Sequence, residues 1–206
     1  NACMLQDTEE GNGTIVERSR EIDAFTAIEI SEGIMARIKQ GDEHRLELRT
    51  DENLHEYITT EVRGNTLKIH VKDFYRLKPS REIEVFVTCK EIKHIEASSS
   101  AGIYSDSRIQ AGDMELEASS GADIALSLEA GEITGEASSS GTIRLQGKAR
   151  ECRFSASSGG GIEARKLAAD KVQADASSGA NISITALKVL DADASSGANI
   201  DVYGNP

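Results

Sequence analysis

The chain has 206 residues, 38% hydrophobic and 4% aromatic, with 18 Gly, 2 Pro, no Trp and a net charge of −12. This low-aromatic, small-residue composition suits many short strands better than packed helices, and neither half is basic, which excludes the electrostatic footprint of a nucleic-acid binder. No run approaches the roughly 20 apolar residues that span a bilayer, and the cysteines Cys3, Cys89 and Cys152 form no CxxC pair, so they define neither a disulfide framework nor a zinc site.

Asn1 and Ala2 precede Cys3, and the following residues to Gly13 are polar, acidic and glycine-bearing. Asn-Ala has the form of a tag-cleavage scar, and nothing here has the form of a signal peptide. A chain that starts at Cys and runs into an acidic tether resembles a bacterial lipoprotein cut at its lipobox cysteine. Residues 1–13 are therefore expected to be a tether with Cys3 as lipid anchor, and that anchor is the sole expected contact with a membrane.

From residue 14 to residue 96, apolar residues alternate through Phe25–Ile30, through Ile34, Ala36 and Ile38, and again in Leu67-Ile69-Val71 and Ile83-Val85-Val87. Asp51–Ile58 is the one expected helical turn, with Asp51 as cap and Leu54, Tyr57 and Ile58 on one face. Phe25, Phe74 and Phe86 lie in this half and imply a wider core. Ile28-Glu29-Ile30-Ser31-Glu32-Gly33-Ile34 reads as a shortened form of the repeat that follows. Residues 14–96 are thus expected to open and cap the same stack, since terminal units of a solenoid must be atypical.

Ala-Ser-Ser-(Gly/Ser)-(Ala/Gly)-x-Ile then occurs six times, starting at Ala97, Ala118, Ala137, Ala156, Ala176 and Ala194, at intervals of 21, 19, 19, 20 and 18 residues. Counting the motif Ala as zero, position −4 is apolar in copies two to six (Met114, Ile133, Cys152, Val172, Leu190) and position +6 is always Ile. Position −1 is always polar. Even positions are expected inward and odd positions outward. A turn is expected at +3 and +4, with the +2 serines (Ser99, Ser120, Ser139, Ser158, Ser178, Ser196) facing in. About 20 residues per coil, in two or three short strands, predict an all-β fold. The predicted architecture is a right-handed parallel β-helix, a single-stranded solenoid, with residues 14–206 as one domain and 97–206 as its six coils.

Little catalytic chemistry is legible. The serine pairs recur six times without a partnered histidine and there is no GxSxG elbow, so the sequence indicates no catalytic residue and no enzyme. His44, His55, His70 and His94 show no metal-ligand spacing, His70 is expected to face solvent, and Cys152 reads as a small core residue. Glu96, Glu117 and Glu136 should lie on one face with Asp175 and Asp193. A divalent cation would relieve their repulsion, but a solvated acidic face is the preferred reading, and no cofactor or metal is expected.

The sequence resembles the head-GIN-domain family of bacterial auto-transporter adhesins, common among Bacteroidetes. The likeness covers roughly Gly11 to Pro206. It rests on Gly11-Asn12-Gly13, Phe25-Thr26-Ala27-Ile28-Glu29-Ile30-Ser31, Gln40-Gly41-Asp42, Thr66-Leu67-Lys68-Ile69, the Ser-Ser-Gly repeats and Tyr203-Gly204-Asn205-Pro206. Where family members often carry Asp after the turn, only Asp123 does so here. The resemblance implies a β-helical, extracytoplasmic protein without established enzyme activity: an outer-membrane lipoprotein, at the cell surface or in the periplasm. The leading functional expectation is a non-enzymatic adhesion module for an extracellular glycan or protein ligand. The alternatives are a self-associating structural component and, further off, a polysaccharide-acting enzyme, for which aromatic platforms are scarce. A lipid-binding role is disfavoured, because Ala and Ser columns leave little room for an apolar cavity.

Overall fold

The computed structural model describes residues 7–206, so Cys3 lies outside the described residues. Short strands fill the first half: β1 (Asp7–Glu10), β2 (Ile15–Arg20), β3 (Ala27–Ile30), β4 (Met35–Gln40), β5 (Arg45–Asp51), β6 (Ile58–Arg63), β7 (Thr66–Val71), β8 (Tyr75–Lys78), β9 (Glu84–Cys89), β10 (His94–Ala97) and β11 (Gly102–Ser105). Longer strands follow in β12 (Ile109–Ala118), β13 (Asp123–Ala137), β14 (Thr142–Ala156), β15 (Gly161–Ala176) and β16 (Asn181–Ala194), then the short β17 (Asn199–Gly204). The fold is all-β, a solenoid of parallel stacked coils.

The inward columns follow the sequence alternation. Ile103, Ile124, Ile143, Ile162 and Ile182 are at most 1% exposed, and they pair coil to coil in register. Met114, Ile133, Cys152 and Val172 form the −4 column, all buried. Phe154 fits the −2 column because its neighbour there is Gly135, where a Cβ would lie 2.9 Å from the Phe154 ring. Between corners each coil is one bent strand of 14 to 16 residues, not two or three short ones.

The corner differs from expectation by one position. Left-handed backbone falls at +2 and +3: Ser178 and Gly179 have φ of 52° and 73°, and the other five copies match. With the +4 amide donating to the +1 carbonyl (Ala180 N to Ser177 O, 3.1 Å), each corner is a type I′ turn. Such a turn swings residue +2 outward, so the +2 serines are exposed rather than inward. Position +4 returns inward and must stay small. In copies three and four it is Gly141 and Gly160, where a Cβ would collide with a carbonyl of the preceding coil. The ladder runs on through the corners, because each +3 amide donates to the +2 carbonyl of the next coil, as Gly121 N does to Ser139 O at 3.1 Å.

Residues 14–96 belong to the same stack, but in an interleaved order. β3 and β4 pair parallel with β10 and β11 on one side and with β7 and β9 on the other. The first coil in sequence therefore sits between the second and the third. Ile28-Glu29-Ile30 lies beside Ile95-Glu96-Ala97, as its likeness to the repeat predicts. β6 on β7 and β5 on β9, both antiparallel, close this end of the stack.

Between β5 and β6 the expected helical turn is a 3₁₀ helix, Glu52–Tyr57, burying Leu54 and His55. Asp51 does not cap it. Its fully buried carboxylate instead accepts from Gly13 N (2.8 Å), Ser80 N (2.8 Å) and Ser80 Oγ (2.6 Å). The tether expectation gives way here as well, for residues 7–13: β1 pairs with β8, and Gly11 leaves the space that the Asp51 carboxylate fills. Phe25 is core, but Phe74 is 57% exposed and Phe86 faces outward between Val85 and Val87, so Phe25 alone widens the core. At the opposite end, Leu187, Val189 and Val202 are 42–50% exposed on the last two strands.

Candidate binding groove

Outward columns line up across coils, which puts residues about 20 positions apart side by side. Register aligns Tyr104, Ala125, Arg144, Glu163 and Ser183 along one face. They wall a groove of about 640 Å³ that runs to Tyr203 on β17, with the nearly buried Leu126 and Leu145 as its floor. At the strand spacing of about 4.8 Å, the five coil steps from Tyr104 to Tyr203 span roughly 24 Å.

At the Tyr104 end the groove's arginine is engaged by two carboxylates. Arg144 donates to both oxygens of Asp123 (2.5 and 2.6 Å) and lies 3.4 Å from Glu163, while Tyr104 OH donates to Asp123 at 3.2 Å. These contacts raise the guanidinium pKa of Arg144, through the Asp123 hydrogen bond first. Burial and then the Asp123 charge push the Tyr104 phenol up. Asp123, the one residue in the family's Asp slot, thus anchors this end. At the other end Arg165 lies over the Tyr203 ring, Cζ 4.2 Å from the centroid. Half of the chain's four tyrosines line this groove; the other two, Tyr57 and Tyr75, pack on each other at 4.7 Å beside the 3₁₀ helix.

The acidic column is present on another face. Glu96, Glu117 and Glu136 are register neighbours lining a notch of about 90 Å³ with the corner serines. Burial first, and then Glu96, Glu115 and Glu136, raise the Glu117 carboxyl, while His94 works against them. Sequence spacing gave the histidines no partners, yet stacking sets His94 Nδ1 3.1 Å from Glu115 Oε2, with Glu117 completing a cluster whose ligand atoms lie within 4.8 Å. His94 and Glu115 share position −3 in successive copies, so column counting could have found the pair. His70 is half-buried, its ring nitrogen at 2.8 Å from Val71 O, and His55 is buried outright. Cys89 and Cys152 are buried and free, their thiols pushed up by burial to about 11 and about 12.

With these features in place the chain can be set beside known proteins. The profile of the family described as "Putative auto-transporter adhesin, head GIN domain" matches residues 24–206. The chain belongs to this family. Comparison with curated proteins finds no match. Among solved structures, a putative adhesin of Bacteroides fragilis superposes with a TM-score of 0.83 at 15% identity, covering 95% of this chain and 96% of that one. A putative lipid binding protein of Parabacteroides distasonis gives 0.69 at 22% identity, covering 97% and 98%. A putative adhesin of the same species gives 0.71 at 20% identity, with the same coverage. At such identities the solenoid fold is what these structures share with the chain.

Proposed function

We propose that this protein is a non-enzymatic adhesion module that holds an extended glycan along the groove from Tyr104 to Tyr203. The observation that carries this reading is the groove itself: a ladder of parallel strands that sets tyrosine rings at both ends of a trough with polar side chains along its walls and leucines on its floor. Rigid aromatic surface gives contact area at low entropic cost. The serines lining the groove have no histidine beside them there, because all four histidines lie elsewhere, and this favours holding over hydrolysis. Family membership supports an extracytoplasmic, surface location. Anchoring through a lipid on Cys3 is part of the proposal, and fatty-acid labelling of the protein in its native host tests it, an unlabelled Cys3 counting against.

A glycan and matrix-protein array tests the function. Glycan hits that Tyr104→Ala and Tyr203→Ala abolish, at unchanged melting temperature, carry the reading; an array without hits defeats it. A second reading, self-association, draws on the exposed Leu187, Val189 and Val202 beside the outer edge of β17. Two copies would pair these edges, and a monomer by light scattering at high concentration rules that out.

A further inference from the structure

The coils keep near-uniform register except at β15. Against β14, Arg144 pairs with Glu163 but Gln146 pairs with Lys166, so β15 carries one residue more. Against β16, Ala164 pairs with Ile184 and Ala168 with Thr185, which leaves Arg165, Lys166 and Leu167 without partners. A bulge of this kind re-aims side chains. Leu167 turns into the core at 1% exposure, while Arg165 and Lys166 stand exposed on the groove wall. The bulge is held in place: Thr185 Oγ1 donates to Arg165 O at 2.8 Å.

Arg165 and Lys166 differ from the ion-paired cations around them. Arg144, Arg153, Lys171 and Lys188 each sit on carboxylates, in a chain where 35 acidic residues face 23 basic ones. Neither Arg165 nor Lys166 has a carboxylate partner among the described residues, a lack they share with Lys148 and Arg150 of β14. Arg165 instead lies over the Tyr203 ring in a cation–π contact on the groove wall.

We propose that Arg165, Lys166 and Tyr203 form a subsite for the anionic group of an acidic glycan. The anion accepts hydrogen bonds from Arg165 and Lys166, and the sugar ring packs along Tyr203. This rests on the glycan reading of the groove and adds the ligand's charge to it. A uronate carboxylate and a sulfate ester offer the same chemistry, an anion with several acceptor oxygens carried on a pyranose ring.

Titration calorimetry of the full chain with polygalacturonate, dextran sulfate and uncharged dextran tests the subsite. At least one acidic polymer binds, dextran does not, and affinity falls with rising salt as exposed charges are screened. The Arg165→Ala/Lys166→Ala double variant keeps its melting temperature, both side chains being exposed, and loses on the order of tenfold or more in affinity. The preferred acidic polymer tells carboxylate from sulfate, and either supports the subsite. Equal binding of dextran, with the double variant unaffected, overturns the subsite and leaves the groove standing. Binding of none of the three also overturns the subsite, whereas the groove falls only if the glycan array is empty too.

Discussion

Ile143 is fully buried and pairs with Ile124 on one side and Ile162 on the other. Ile143→Ala opens a cavity between two coils, with an expected cost of about 2–5 kcal/mol in denaturant unfolding. Ile200→Ala, in the half-exposed last copy, costs visibly less. Two carboxylates give opposite pH signatures. Glu117 has a raised folded pKa, so the native state holds its proton more tightly than the unfolded chain, and stability drops as pH rises through the window above about 4.3. Glu117→Gln is therefore expected to raise the melting temperature at neutral pH, with the gain gone below that window. For Asp51, burial pushes the pKa up but hydrogen bonds from Ser80 and Gly13 outweigh it, and the net pKa is lowered. Its contribution is fully present above about pH 3.9 and is lost as pH falls through the lower folded value. Asp51→Asn should lower stability at pH 7 and flatten the acid limb of the melting curve.

Among the elements, the I′ corners are the most testable. A non-glycine residue with positive φ is strained, so Ser178→Gly removes a local cost of about 1 kcal/mol while increasing the freedom of the unfolded chain. A small net gain is expected. Ser178→Val, whose branched Cβ tolerates this backbone poorly, should lower the melting temperature by several degrees. The Ile and Ala columns were legible in the sequence because every coil repeats the same demand at the same phase. The corner was misplaced by one residue because serine serves equally at a buried or an exposed turn position, and only the backbone angle separates the two. Of the closing strands, β6 is marked as antiparallel by its two-residue Gly64-Asn65 link to β7, whereas β5 pairs with the distant β9 and nothing local marks it. The groove was hidden because Tyr104, Arg144 and Tyr203 come from different coils. Its bulge did leave a trace: the interval from Ala156 to Ala176 is 20 residues where the two before it are 19.

At the scale of the whole molecule, from β12 onward the strand pairings join residues about 20 apart, neighbour to neighbour, so stability there should grow coil by coil. The N-terminal coils depart from that scheme, and this bears on how the molecule carries load. Pulled from its C-terminal side, the solenoid should unzip one strand at a time at low force. Pulled from its N-terminal side, it gives up β1 and β2 and then reaches β3, gripped by β7 on one flank and β10 on the other. Extraction there must shear two ladders at once. Single-molecule stretching is expected to show a sawtooth of small C-terminal ruptures and one larger N-terminal event. The interleaved first coil would then act as a mechanical brake, placed on the side nearest any N-terminal attachment.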